Sequence, residues 1–237
     1  MNLASLYSGG KDSTFALYKA LKEGHKVSCL ITVLPEREDS LLFHYPNARY
    51  TAYQARCLRI PHISRKASCG SVDEELDALE QVVKDAKKRF SIDGMVTGGL
   101  ASNFQKEKFG QVCRKLGLEQ YAPNWGADQT KYMRDLLANN FKVMITGVSA
   151  AGLDEGWLGR VLDGSALGEL EALSRKHGFN PAFEGGEAET LVLDCPIFSK
   201  RIKVREGKRH WDVVRGYFEI LDVSLVDKEK EERIHGS

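Results

Sequence analysis

The chain has 237 residues, with 34 Lys+Arg against 33 Asp+Glu, 42% hydrophobic and 28% charged residues, as expected of a globular protein. No apolar run is long enough to cross a bilayer. Residues 1–121 carry 18 Lys+Arg against 14 Asp+Glu and residues 122–237 carry 16 against 19, a mild split that lacks the basic footprint of nucleic-acid binders and argues against such a partner.

Leu3 to Tyr7 is an apolar run that reads as a buried strand. It starts so near the N-terminus that no room is left for a signal peptide, so a cytoplasmic protein is expected. Thr14 to Leu21 repeats apolar residues at helical spacing. Between them lies Ser8-Gly9-Gly10-Lys11-Asp12-Ser13. A turn from strand to helix points free backbone N–H groups and the positive end of a helix dipole at what lies above it. Gly9 and Gly10 let the backbone come close to a ligand, Ser8 and Ser13 add hydroxyls, and Lys11 adds a full charge. The expectation is a polyphosphate cradle, though not Gly-x-x-x-x-Gly-Lys-Ser/Thr. Asp12 suits Mg2+, which prefers carboxylate and phosphate oxygens.

Gly24 stops the first helix, and Val27 to Leu34 is a second apolar strand, ended by Pro35. Thr32 and Val33, near that strand's end, are expected to contact adenine through the backbone. Glu36 to Asn47 reads as a loop over the nucleotide, a lid by its length and polarity. His44 within it has either a substrate-binding or a structural role. Ala48 to Leu58 looks helical and Pro61 to Ile63 starts a short strand. Ser71 to Phe90 is an amphipathic helix that Ser71 can cap. Asp93 to Thr97 is the next strand, and Gly98-Gly99 at its end is where ligands sit in such folds. Ser102, Asn103 and Gln105 open a helix to Leu116 and can offer donors to a substrate carbonyl. Leu118 to Ala122 is a fifth strand. Alternating strands and helices give a doubly wound α/β domain with a parallel sheet over residues 1–122.

Turn residues Pro123 to Gly126 mark the expected boundary, leaving residues 123–237 as a smaller α+β domain. It reads as a helix from Asp128 to Asn139, a strand from Lys142 to Val148 and a helix from Asp163 to His177. Leu191 to Asp194, Arg201 to Val204 and Tyr217 to Val226 read as strands, the last two antiparallel. Glu184-Gly185-Gly186-Glu187-Ala188-Glu189 sets three carboxylates around two glycines. Such a cluster holds magnesium or attracts a cationic substrate, or is a solvated turn. The five cysteines form no Cys-x-x-Cys pair; Cys29 and Cys195 lie in apolar runs and read as buried thiols.

The Ser8–Ser13 loop resembles the PP-loop of the N-type ATP pyrophosphatases. Together with Ser40-Leu41-Leu42-Phe43-His44, Gly99 to Gln105, Leu116-Gly117-Leu118, Pro123-Asn124-Trp125, Gly152-Leu153-Asp154 and Glu184 to Thr190 with Leu193-Asp194-Cys195-Pro196, it resembles the diphthine–ammonia ligase family over nearly the whole chain. The resemblance implies an adenine nucleotide alpha hydrolase-like fold and a ligase that adenylates a carboxylate with ATP and Mg2+, then forms an amide with ammonia, releasing AMP and pyrophosphate. The implied acceptor is diphthine, a modified histidine bearing a trimethylammonium group and a carboxylate, on elongation factor 2. Ser8, Gly9, Gly10, Lys11, Asp12, Ser13 and Gly98 would hold the nucleotide, with Lys11, Asp12 and Glu187 catalytic. Glu184, Gly185, Gly186, Glu187 and Glu189 would bind substrate. Ammonia would come from solution or a separate protein, and a homodimer stays open. Ala188 stands where diphthamide-forming members usually have an aromatic residue. Gly98-Gly99-Leu100 replaces a more usual Gly-Ala-Ile, and Phe104 replaces a Tyr. A paralogous group linked to corrinoid metabolism, a tRNA-modifying PP-loop enzyme and a nucleotide-binding regulator remain the alternatives.

Overall fold

A computed structural model describes residues 1–36, 42, 48–67 and 71–228. Most of the Glu36–Asn47 segment, with His44, therefore lies outside the described residues.

Five parallel strands form the first sheet: β1 (Asn2–Leu6), β2 (Lys26–Pro35), β3 (His62–Ala67), β4 (Gly94–Val96) and β5 (Glu119–Tyr121), in the order β3-β2-β1-β4-β5. This is the doubly wound arrangement expected from the alternation of elements. β1, β2 and β4 are largely apolar because both faces of the sheet are covered there, while the edge strands β3 and β5 are more polar and more exposed. Leu3 and Leu30 enter one core, with α1 (Lys11–Lys22), while Ala4, Ile31 and Val33 enter the other, under α3 (Val72–Phe90) and α4 (Asn103–Lys115). Ser71 caps α3 by accepting from the Glu74 amide at 3.3 Å, as its position predicts. The helix expected over residues 48–58 begins as a 3-10 turn (Ala48–Tyr50) and continues as α2 (Thr51–Leu58).

The second sheet joins β6 (Lys142–Val148), β7 (Ala188–Asp194), β8 (Lys200–Asp212) and β9 (Arg215–Asp227) in the antiparallel order β7-β6-β9-β8. α5 (Gln129–Ala138) and α6 (Gly164–His177) start at the caps Asp128 and Asp163, which accept from the Lys131 and Ala166 amides. Their apolar faces join the core that also holds α1, so one cluster runs from Leu3 and Phe15 through Tyr132 and Phe141 to Leu170 and Val192.

β8 and β9 form a 13-residue-by-13-residue hairpin, longer than the segments 201–204 and 217–226 expected from sequence. Arg205 to Arg209 carries no apolar alternation because it is mostly exposed; backbone pairing, with Lys208 opposite Glu219, holds it as strand. The turn is Val213-Val214, with Val213 at φ +45°. A two-residue hairpin turn needs positive φ and usually takes Gly or Asn, so two valines hide it.

Candidate active site

β1 ends at Leu6, and the chain passes through Tyr7 to Gly10 before α1 begins at Lys11. The start of α1 and the segments following β4 and preceding β7 surround a cavity of about 330 Å3. It sits at the carboxyl ends of the parallel strands, where open α/β sheets bind ligands.

The glycines of the loop are explained by packing. Gly9 has φ +81°, and a Cβ there would collide with Oε1 of Gln54, so it is a glycine for its backbone and for Gln54. Gln54, fully buried on α2, donates through Nε2 to the carbonyls of Gly9 and Val192, each at 2.8 Å. It thereby ties the loop to β7. At Gly10 a Cβ would lie 3.2 Å from the Thr190 carbonyl, and the Thr190 hydroxyl accepts from the Lys11 amide at 3.2 Å. At Gly98 a Cβ would lie 2.7 Å from the Asp12 carbonyl carbon and the Ser13 nitrogen. Gly98 thus lets the end of β4 lie against the first turn of α1. Gly9 does not line the cavity, and Gly10 does while also clearing Thr190.

Lys11 lines the cavity yet is only 2% exposed. Its Nζ lies 2.9 Å from Asp12 Oδ2 and 5.2 Å from the centre of the Phe183 ring. A buried cation is costly unless anions surround it, and here its carboxylate partner is itself partly open to solvent. The other oxygen of Asp12 accepts from the Tyr132 hydroxyl at 2.8 Å. Tyr132 is 1% exposed; burial, then the charge of Asp12, holds its hydroxyl well above its ordinary pKa, so it remains a donor. Asn124, fully buried, donates to the carbonyls of Asp12 and Gly98 at 3.1 Å each.

Glu184 enters from the segment before β7. Its Oε2 accepts from the amides of Ala101 at 2.8 Å and Leu100 at 3.2 Å, joining the two segments across the cavity. Burial, then the nearby charge of Asp12, raises its carboxyl pKa, against the opposing pull of those amides and Lys11. Phe183, under Lys11, is held at φ +64°, a conformation that persists only where its surroundings enforce it.

Of the expected site residues, the cavity brings together Ser8, Gly10, Lys11, Asp12, Ser13, Val33, Gly98, Ser102, Gln105, Glu184, Gly186 and Glu189. Gly9, Thr32, Asn103, Gly185 and Glu187 do not line it. The Thr32 hydroxyl is turned inward, donating to the Tyr7 carbonyl at 2.7 Å and lying 2.9 Å from His62 Nε2. Asn103 is the exposed first residue of α4, and Ser102 caps that helix by accepting from the Gln105 amide. Glu187 uses both carboxylate oxygens on backbone amides, Oε1 on Asn180 at 3.0 Å and Oε2 on Gly185 at 2.8 Å. In this geometry it holds its own loop. Gln54 and Tyr132 were not singled out by the sequence, and Asn124 stood only within the Pro123-Asn124-Trp125 resemblance, with no role attached. Gln54 had a signal, a polar residue within a helix that also buries Ala55, Cys57 and Leu58. Tyr132 had none, because a buried tyrosine on an amphipathic helix reads as core.

The described cysteines Cys29, Cys57, Cys113 and Cys195 are buried free thiols. Burial pushes them up to about 12, 11, 11 and 12 respectively, which leaves them poor nucleophiles. Among the described residues no helix is long and apolar enough to cross a membrane.

A loop between strand and helix, a helix N-terminus and a buried lysine border a cavity at the carboxyl edge of a doubly wound sheet, which defines an α/β protein with its candidate site at the sheet's carboxyl edge. Residues 1–120 match the family model of the diphthamide synthase N-terminal domain, and residues 128–226 match that of the diphthamide synthase C-terminal domain. The chain belongs to the diphthamide synthase (diphthine–ammonia ligase) family. The diphthine–ammonia ligase of Rattus norvegicus is 30% identical over 226 residues, spanning 86% of this chain and 83% of that protein. The Homo sapiens enzyme of the same name is 30% identical over 222 residues, with 86% and 83% covered. That of Schizosaccharomyces pombe is 31% identical over 217 residues, covering 85% of this chain but 36% of the longer yeast protein. A solved structure described as a predicted subunit of tRNA methyltransferase from Methanocaldococcus jannaschii superposes with a TM-score of 0.42 at 15% identity, over 83% of this chain and 98% of that one.

Proposed function

We propose that this protein is an ATP-dependent amide-forming ligase of diphthamide biosynthesis, and that the cavity at the start of α1 is where ATP and the acceptor carboxylate meet. The observation that carries the nucleotide assignment is the buried Lys11 ammonium on the wall of a cavity faced by a helix N-terminus. Asp12, partly open to solvent, is the carboxylate beside that cation, and a polyanion would add further negative charge around it. In this reading Ser8, Gly10, Lys11 and Ser13 hold the β- and γ-phosphates, and Val33 and Leu42 supply apolar wall for the base.

An oxygen of the acceptor carboxylate attacks the α-phosphorus, the bond to the bridging oxygen breaks, and pyrophosphate leaves. The nitrogen of ammonia then attacks the acyl carbon, the bond to AMP breaks, and the nitrogen loses a proton. Lys11 acts in the first step, where negative charge grows on the leaving group. Asp12 offers a hard oxygen donor at the cavity wall with Glu184 nearby, a donor set that fits magnesium. Among the described residues no three acidic, His or Cys side chains gather to hold a metal, so phosphate oxygens and water would complete its shell. Bound there, the ion would supply charge neutralisation at the departing pyrophosphate. Tyr132 and Asn124 fix Asp12 in place, and Glu184 ties the substrate segment to the loop after β4.

The acceptor in this reading is diphthine on elongation factor 2. The test is a product assay with ATP, magnesium, ammonium and diphthine-bearing elongation factor. AMP and the amide are expected, and Lys11→Ala should form neither. Unchanged turnover in that variant would remove the phosphate role of Lys11.

A further inference from the structure

The second sheet ends at β7, so β7 has one edge that β6 does not cover. The loop before α1 lies along that edge. The Val192 amide donates to the Gly9 carbonyl at 3.0 Å, and the Lys11 amide donates to the Thr190 hydroxyl at 3.2 Å. The loop is thus laid on β7 like a short added strand. Its backbone at the cavity wall is set by a sheet from the other half of the chain.

Gln54 locks this join. It is 0% exposed and lines neither the first cavity nor the larger one along the second sheet. Its Nε2 donates to the carbonyls of Gly9 and Val192, one on each side of the join, at 2.8 Å each. Two carbonyls at that distance admit only the NH2 end of the amide. Oε1 is left buried with no hydrogen-bond partner among the described residues. A buried acceptor without a donor lowers stability, and an apolar side chain of similar length avoids that cost. Packing alone therefore does not account for an amide at this position; two carbonyls held together do.

We propose that Gln54 is a positioning residue for the nucleotide step. It pins the Gly9 carbonyl against β7 and so fixes the backbone of Gly10 and Lys11, both of which line the cavity. It acts through the loop and touches neither nucleotide nor acceptor. The role rests on the reading of the first cavity as the ATP site.

The test uses the full chain with Gln54→Met, which keeps the length and removes both donors, and Gln54→Glu, which keeps the shape and sets an acceptor against both carbonyls. Calorimetric titration with ATP and magnesium should show affinity about tenfold weaker in Gln54→Met and weaker still in Gln54→Glu. In the product assay the KM for ATP should rise about tenfold in Gln54→Met, with the KM for ammonium within about twofold of wild type. A merely structural role would lower the active fraction, and with it the apparent kcat, and leave the KM for ATP unmoved. Hydrogen exchange separates the two again: the amides of residues 8–11 should exchange faster in Gln54→Met while β1 and α3 keep their wild-type rates. Wild-type ATP affinity in both variants, faster exchange throughout the chain, or failure of Gln54→Met to fold overturns the positioning role. The two readings fail separately. A wild-type protein that binds no ATP sinks the nucleotide reading of the cavity, whereas ATP binding that is indifferent to Gln54 sinks only the role of Gln54.

Discussion

Gly98 and Gly99 are adjacent, both line the nucleotide cavity, and neither has positive φ, yet substitution should affect them in opposite directions. At Gly98 a Cβ would lie 2.7 Å from backbone atoms of Asp12 and Ser13, against an ordinary contact of at least 3.4 Å. The end of β4 and the first turn of α1 must separate, and neither is a flexible side chain. Overpacking of this kind costs about 1–3 kcal/mol. Replacing glycine by alanine at a compatible site returns about 0.4–1 kcal/mol by restricting the unfolded chain. Gly98→Ala should therefore be destabilising by about 1–2 kcal/mol. At Gly99 the nearest atom to a Cβ is Gln105 Oε1, 3.9 Å away, so Gly99→Ala should gain the unfolded-state term alone. With a urea slope of about 2 kcal/mol/M, the two midpoints should differ by about 1 M. Gly98→Ala should also weaken ATP binding, since the displaced turn carries Lys11 and Asp12. Coincident urea midpoints would refute the claim that strand-to-helix contact at Gly98 sets the cradle.

Three further substitutions probe the groups around Lys11. Tyr132→Phe removes a buried donor from Asp12; because Asp12 is partly open to water, the loss should be about 1–2 kcal/mol of stability with a weakened magnesium dependence of turnover, and an unaltered magnesium titration would show that Tyr132 only packs. The Glu184 carboxyl is raised above its ordinary 4.5, so between the two values the folded state binds more protons than the unfolded one and stability falls as pH rises. That penalty is fully present above the raised value. Glu184→Gln keeps an oxygen for the Ala101 and Leu100 amides, so its melting temperature should decline less than that of wild type between pH 4.5 and neutrality; parallel melting curves would contradict the raised carboxyl. Glu187→Gln leaves one of two backbone amides facing a donor and should cost about 1–2 kcal/mol in a urea titration. Full stability with lost turnover would return Glu187 to the chemistry.

β1, β2 and β4 were legible as apolar runs bounded by Gly, Pro or a helix start, and the alternation of strands and helices made the parallel sheet legible. The Ser8–Ser13 loop was legible for the same local reason, since its chemistry sits in six consecutive residues. What escaped was non-local. Gln54 reaches the loop from 45 positions along the chain and Tyr132 reaches Asp12 from 120, and neither spacing leaves a periodic trace. The backbone contacts of Glu187 left no trace either, because a carboxylate beside two glycines reads alike whether it faces a substrate or its own backbone. The middle of the β8–β9 hairpin escaped because exposed strand with a Val-Val turn lacks both apolar alternation and turn residues.

In the proposed reaction the acceptor carboxylate is activated by attack at the α-phosphorus while the outer phosphates are held by the loop at the start of α1. Acceptor labelled with 18O in that carboxylate, incubated with ATP, magnesium and ammonium, tests it directly by mass spectrometry of the products. One labelled oxygen is expected in AMP and none in pyrophosphate. Label appearing in inorganic phosphate, with ADP as the other product, would contradict it.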